Sequence, residues 1–125
     1  MSQSISPLNR TNKELIISLF DTIDSSDWKL LVKHFDKDII YERPGYSIIM
    51  GIDKLVYFYQ HERVIAFGKH LIEHIVCEDK FGSCWGKFIG THKNGSQINE
   101  SFSDVYSFDK NKIITRRSYF FRPAI

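Results

Sequence analysis

Residues Glu100 to Phe120 read ESFSDVYSFDKNKIITRRSYF, and the first nine alternate between two kinds of side chain. Phe102, Asp104, Tyr106 and Phe108 form one set; Ser101, Ser103, Val105 and Ser107 form the other. Successive side chains on a β-strand point to opposite faces, so the aromatic set is expected to face a core. Asp104 in that row needs an explanation: either a partner cation or a site with a use for a carboxyl group. Downstream, Asp109-Lys110-Asn111-Lys112 is a turn signal, and residues 113–121 are predicted to pair back as the closing strand. With Asp104 inward, that strand offers Arg116, Ser118 and Phe120 to the same side. A one-residue slip would offer Arg117 and Tyr119 instead.

Upstream of this hairpin the sequence is β-rich back to Gly68. Runs at 69–77, 82–91 and 97–108 are separated by Glu78-Asp79-Lys80 and Lys93-Asn94-Gly95, the punctuation of an antiparallel meander. The N-terminal half is helical. Thr11-Asn12-Lys13-Glu14 reads as a capping box, and Leu15, Ile16, Leu19, Phe20 and Ile23 recur at helical spacing, predicting a helix over 12–24. Asp27 caps a second, short helix marked by Trp28, Leu31, Val32 and Phe35. A brief strand at 39–43 stops at Pro44-Gly45, and Gly51-Ile52-Asp53 opens a third helix. Helices gathered on one face of an antiparallel sheet make an α+β domain, expected to be a single domain over 1–125.

Net charge is +2, from 17 basic and 15 acidic residues, a balance that argues against a nucleic-acid surface. No stretch approaches the ~20 apolar residues of a membrane span, and the first twenty residues lack the pattern of a secretory signal. Cys77 and Cys84 match no redox or zinc motif; as buried free thiols they fit a reducing cytoplasm, the expected location.

With these elements in hand, the chain resembles the nuclear transport factor two-like superfamily, which includes ketosteroid isomerases, limonene epoxide hydrolase, scytalone dehydratase and the SnoaL-like polyketide cyclases. FSDVYSFDKNKIITRRSYF (102–120) is similar to the last hairpin of the isomerases. DIIYERPGYSIIMGIDKLVYFYQ (38–60) is similar to their short strand, proline break and glycine-led helix. The resemblance runs from Leu8 to Pro123. It implies a cone-shaped α+β barrel, with N-terminal helices on a strongly bent, mixed or antiparallel sheet enclosing an apolar pocket. It implies that Asp104 is the carboxyl kept neutral to hydrogen-bond an oxyanion; the other reading is an Asp fixed by a neighbouring strand's arginine. Other parts depart from the pattern. The isomerase's proton-shuttling aspartate falls at Arg43 and its oxyanion-hole tyrosine at Leu19. The epoxide hydrolase's Arg-x-Asp pair falls at Trp85 and Lys87, and its second aspartate at Ser118.

The candidate catalytic residues are therefore Asp104, His70, Arg43 and Tyr41. Arg43 calls for an anionic partner, Asp104 or a substrate oxyanion, and His70 would supply a base near neutral pH. Tyr46, Phe58, Tyr59, Trp85, Phe102, Arg116, Ser118 and Phe120 are candidate walls for a small hydrophobic metabolite. His34 and His92 are expected in solvent. His70 and His74 share a face of a regular strand but stand ~13 Å apart at ~3.3 Å per residue, too far for one metal, and no metal or cofactor is expected. By resemblance the Ser-rich outer sheet face implies a homodimer. The expected activity is cofactor-independent acid–base chemistry, an isomerisation, dehydration or cyclisation of a polyketide- or terpenoid-like molecule. The alternatives are a non-catalytic ligand binder and a protein-interaction module.

Overall fold

The computed structural model describes residues 10–121, so Leu8 and Pro123, the ends of the resemblance, lie outside the described residues. Helix α1 (Asn12–Asp24) begins as its capping box dictates: the Glu14 amide donates to Thr11 Oγ1 at 3.1 Å and the Thr11 amide to Glu14 Oε1 at 3.2 Å. Two otherwise orphaned amides are satisfied there. Leu15, Ile16, Leu19, Phe20 and Ile23 are buried along one stripe that packs on strand β3 (Ile65–Cys77), each contributing about 1.5–3 kcal/mol of burial.

After α1, Asp27 caps α2 (Trp28–Leu31), and a 3₁₀ turn (Val32–His34) feeds strand β1 (Phe35–Glu42). That tight turn rotates His34 inward, correcting its expected exposure. The ring is buried, with Nε2 2.8 Å from Ser18 Oγ and Nδ1 3.1 Å from the Leu30 carbonyl oxygen. Strand β1 starts earlier than the apolar pattern suggested, because the charged run Asp36-Lys37-Asp38 masked its first half. The two-residue β2 (Ile49–Met50) precedes α3 (Ile52–Tyr57) and a widened π turn (Phe58–Glu62). Strands β3, β4 (Phe81–His92), β5 (Gln97–Asp109) and β6 (Lys112–Phe120) then form the meander.

The six strands lie in the order β2-β1-β6-β5-β4-β3. Strand β1 runs parallel to β6 while the other pairings are antiparallel, so the sheet is mixed, and it stays open between its two edge strands. The helices cover its inner face, giving the cone-shaped α+β architecture.

A bulge in β3 between Ile72 and His74 adds a residue and flips the alternation. His70 therefore faces inward whereas His74 faces out and packs on Trp85 with ring centroids 5.1 Å apart. The expectation that the two histidines share a face is corrected by that extra residue. Beside the bulge, Gly86 lets the strands close up: a Cβ there would lie 2.1 Å from the Leu71 carbonyl oxygen. Gly86→Ala is expected to cost about 1–3 kcal/mol, the usual range for overpacking, measured by urea unfolding; an unchanged midpoint would contradict this packing.

Candidate functional site

The hairpin pairs Asp104 with Ser118 and Tyr106 with Arg116, turning Asp104, Arg116 and Ser118 to the inner face. Arg116 Nε and Nη2 each lie 2.9 Å from Asp104 Oδ2, and the Tyr106 hydroxyl donates to the same oxygen at 2.9 Å. Three donors on one oxygen suit an ionised carboxylate. The structure thus has the arginine-fixed Asp104 rather than the neutral acid that the resemblance implied. Arg116 Nη1 donates to the Tyr59 hydroxyl at 2.7 Å, and the guanidinium lies 4.6 Å from the Tyr41 ring centroid and 5.5 Å from that of Phe20. Burial pulls the Arg116 pKa down, but Asp104, followed by Tyr41, Tyr59 and Tyr106, outweighs it and holds the group well above its usual value.

Two more arginines enter the same hollow. Arg43, just past β1, donates from Nη1 to the Tyr41 hydroxyl at 3.2 Å and stacks on Phe120 at 4.8 Å. Arg63 is delivered by the π turn, whose i→i+5 bond runs from the Arg63 amide to the Phe58 carbonyl at 2.8 Å. Such turns recur at functional sites. Its guanidinium lies 5.3 Å from the Tyr59 ring and 5.6 Å from the Phe88 ring. These side chains leave about 10 Å³ of free space, room for about one water. The expected roomy apolar cone is therefore corrected: guanidinium groups and rings fill it. Larger concavities, of about 670 and 760 Å³, are open surface grooves on the outer sheet face and beside α3.

Opposite the arginines stands His70. Asp24, the last residue of α1, accepts from His70 Nδ1 at 2.6 Å and from the His70 amide at 2.8 Å. Both carboxylate oxygens are used, so the ring is clamped in one orientation. Because Asp24 accepts, Nδ1 carries the proton, which in the neutral ring leaves the lone pair on Nε2. The rings of Phe20, Phe88 and Phe102 surround the imidazole at 4.6, 4.7 and 5.4 Å. Burial lowers the His70 pKa below its ordinary 6.5, with Asp24 opposing and Arg63 and Arg116 assisting. That shift favours the neutral imidazole at pH 7.

Of the residues singled out from the sequence, Arg43, His70, Phe102, Asp104, Arg116, Ser118 and Phe120 line the hollow. Tyr41, Phe58 and Tyr59 are buried behind that lining; the Tyr41 hydroxyl lies 2.7 Å from Ser118 Oγ and orients it. Burial pushes the Tyr41 pKa up, but Arg116 and Arg43 prevail and lower it. Tyr46 packs edge-on against Phe58 at 5.0 Å, outside the hollow. Trp85 is a correction: β4 turns Cys84 and Gly86 inward, so Trp85 is 39% exposed on the outer face. Burial, with Asp104 nearby, pushes the Cys84 thiol up to about 12, which removes it as a nucleophile. Sequence reasoning missed Asp24 and Arg63. A carboxylate at the negative end of a helix opposes the helix dipole, and that was the available signal for Asp24. Arg63, in an ordinary helix-end HER, carried none.

Among the described residues no three His, Cys, Asp or Glu side chains gather to hold a metal, and no helix is long and apolar enough to cross a membrane. No known family matches the chain by sequence, and no curated protein does. Solved structures do match in fold. A SnoaL-like polyketide cyclase from Jannaschia sp. CCS1 is 13% identical with a TM-score of 0.79, covering 96% of this chain and 92% of its own. A protein of unknown function with the nuclear transport factor two-like fold, from Burkholderia pseudomallei, is 16% identical with a TM-score of 0.81, covering 93% and 92%. TerC, crystallised with polyporic acid, is 15% identical with a TM-score of 0.79, covering 92% of each chain. The chain has the nuclear transport factor two-like fold.

Removing one partner of a buried ion pair leaves the other charge uncompensated, at a cost of about 3–5 kcal/mol. Asp104→Asn should therefore destabilise by that order, and the double variant Asp104→Leu with Arg116→Met should recover most of it; a double variant as unstable as the single would refute the pairing. Burial also lowers the His34 pKa below 6.5. With His34 and His70 both lowered, the unfolded chain takes up protons first as pH falls. Stability is then full above about 6.5 and declines as pH drops toward the folded values. Urea midpoints at pH 7.5 and 5.5 should differ in that sense, and less so in His34→Gln.

Proposed function

We propose that the protein is a cofactor-independent enzyme whose base is His70, positioned by Asp24, acting on a small metabolite that the arginine-rich hollow admits as its lining side chains move aside. The observation that carries this reading is the clamped imidazole: its Nδ1 is committed to a carboxylate, and the ring shares one hollow with three guanidinium groups. Nε2 takes a proton from carbon next to a carbonyl. The released electron pair moves onto the carbonyl oxygen, where arginine N–H groups stabilise the charge in a site that excludes bulk water. Returning the proton to another carbon completes an isomerisation; passing it to a departing β-hydroxyl, which leaves as water, completes a dehydration; passing it to the alkoxide formed as the enolate attacks a second carbonyl completes a cyclisation. Neighbours named as polyketide cyclases support the last, although fold alone does not fix chemistry. A non-catalytic binder would have the same hollow without turnover. The free thiols Cys77 and Cys84 support a reducing, cytoplasmic setting.

We also propose a homodimer through the outer sheet face. Leu71, Trp85, Ile89, Val105 and Tyr119 are each 38–47% exposed there, an apolar patch of the kind that marks an interface. Trp85→Glu with Val105→Glu should halve the mass seen by light scattering; an unchanged monomeric mass in the parent would end this proposal.

For the chemistry, enolisable cyclic ketones incubated in D₂O should lose their α-proton NMR signals in the presence of the enzyme. His70→Gln should slow exchange by at least ~100-fold, the low end of general-base contributions, and Asp24→Asn by less. The rate should fall only below pH 6.5, as Nε2 becomes protonated at its lowered pKa. Equal exchange by His70→Gln would defeat the assignment, and binding without exchange would favour the binder.

A further inference from the structure

Asp104 accounts for Arg116, and Asp24 for His70, but Arg63 is left over. Its side chain is about nine-tenths buried. Among the described residues it has two aromatic faces, no carboxylate at ion-pair distance and no acceptor for Nε. Asp104 Oδ1 is its complement, a buried acceptor with no donor among the described residues. Both side chains line the one hollow, whose roughly 10 Å³ hold a single oxygen-sized atom. An unmatched donor and an unmatched acceptor buried together both cost stability, and a site of that kind is complete only when something joins them.

We propose that the ligand of the hollow is a 2-hydroxy acid or the corresponding enol acid. Its hydroxyl oxygen takes the free space, accepting from Arg63 Nε and donating to Asp104 Oδ1, and the rest of the molecule is admitted as lining side chains move aside. The adjacent carboxylate meets the remaining N–H groups of Arg63 and neutralises the leftover charge. A neutral amide in that place leaves Arg63 without a counter-ion. An acid lacking the hydroxyl sets its lone pairs against those of Asp104 Oδ1. The inference rests on the hollow being the ligand site, as in the proposed function, but not on His70 being a base.

The test is calorimetric titration with mandelate, phenylacetate and mandelamide, phenyl compounds because the rings of Phe88, Phe102 and Phe120 border the hollow. Mandelate is expected to bind at least about tenfold more tightly than either analogue, since a site built around a hydroxyl and a charge rejects molecules lacking one of them. Arg63→Met should abolish that preference while melting at the same temperature or higher, because it removes an uncompensated buried charge. The mandelate preference is read from binding alone and the His70→Gln result from proton exchange alone, so failure of acid recognition and failure of catalysis are separable. Equal binding of the three probes, no heat with any of them (a hollow that holds water only), or an Arg63→Met protein that keeps the mandelate preference would each overturn the proposal.

Discussion

The ion pair between Asp104 and Arg116 constrains the rest of the interior. Both side chains are nearly inaccessible, 1% and 4% exposed, so neither charge can be solvated by bulk water and each depends on the other. The β5–β6 register brings them together diagonally, and a one-residue slip would turn Arg117 and Tyr119 inward in place of Arg116 and Ser118. Tyr59, Tyr41, Tyr106 and Phe20 then close around the pair. Tyr106 and Tyr59 each hydrogen-bond the pair, Asp104 Oδ1 is left without a donor among the described residues, and the rings of Tyr41 and Phe20 cover the guanidinium face. A polar cluster in a small core is costly to assemble, and here it fixes one hairpin register and one hollow.

That hollow brings one imidazole and three guanidinium groups together. On the helix side, α1 ends in Asp24, which holds His70 through both carboxylate oxygens. Arg43, just past β1, Arg63, at the end of the π turn, and Arg116, on β6, line the same hollow. A neutral base facing cations is a stable arrangement, because the cations disfavour its protonation and so keep the lone pair available. The same cations favour negative charge on whatever enters. In the proposed chemistry, proton removal and charge stabilisation come from separate elements that the fold brings within one small space.

Much of the architecture was legible because its signals are local. The capping box fixed where α1 starts, the alternation in residues 100–108 fixed which face is buried, and Lys110 and Asn111 accept the positive φ that the β5–β6 turn requires. The inward set Asp104, Arg116 and Ser118 followed from the same alternation. What failed to show was non-local or irregular. The β3 bulge reversed His74 without a sequence mark, the 3₁₀ turn buried His34, and the strand parity of β4 sent Trp85 outward. Arg63 reached the hollow through a π turn that apolar periodicity cannot reveal, and Asp24 matters through a residue 46 positions away.

The central claim is that His70 presents an unprotonated Nε2 to a cationic hollow at neutral pH. The most direct measurement is ¹⁵N NMR of the imidazole in protein labelled at histidine, followed between pH 5 and 8. The account predicts a single tautomer with the proton on Nδ1, persisting to below pH 6.5 and lost in Asp24→Asn. A proton on Nε2, or an imidazolium at pH 7, would contradict it.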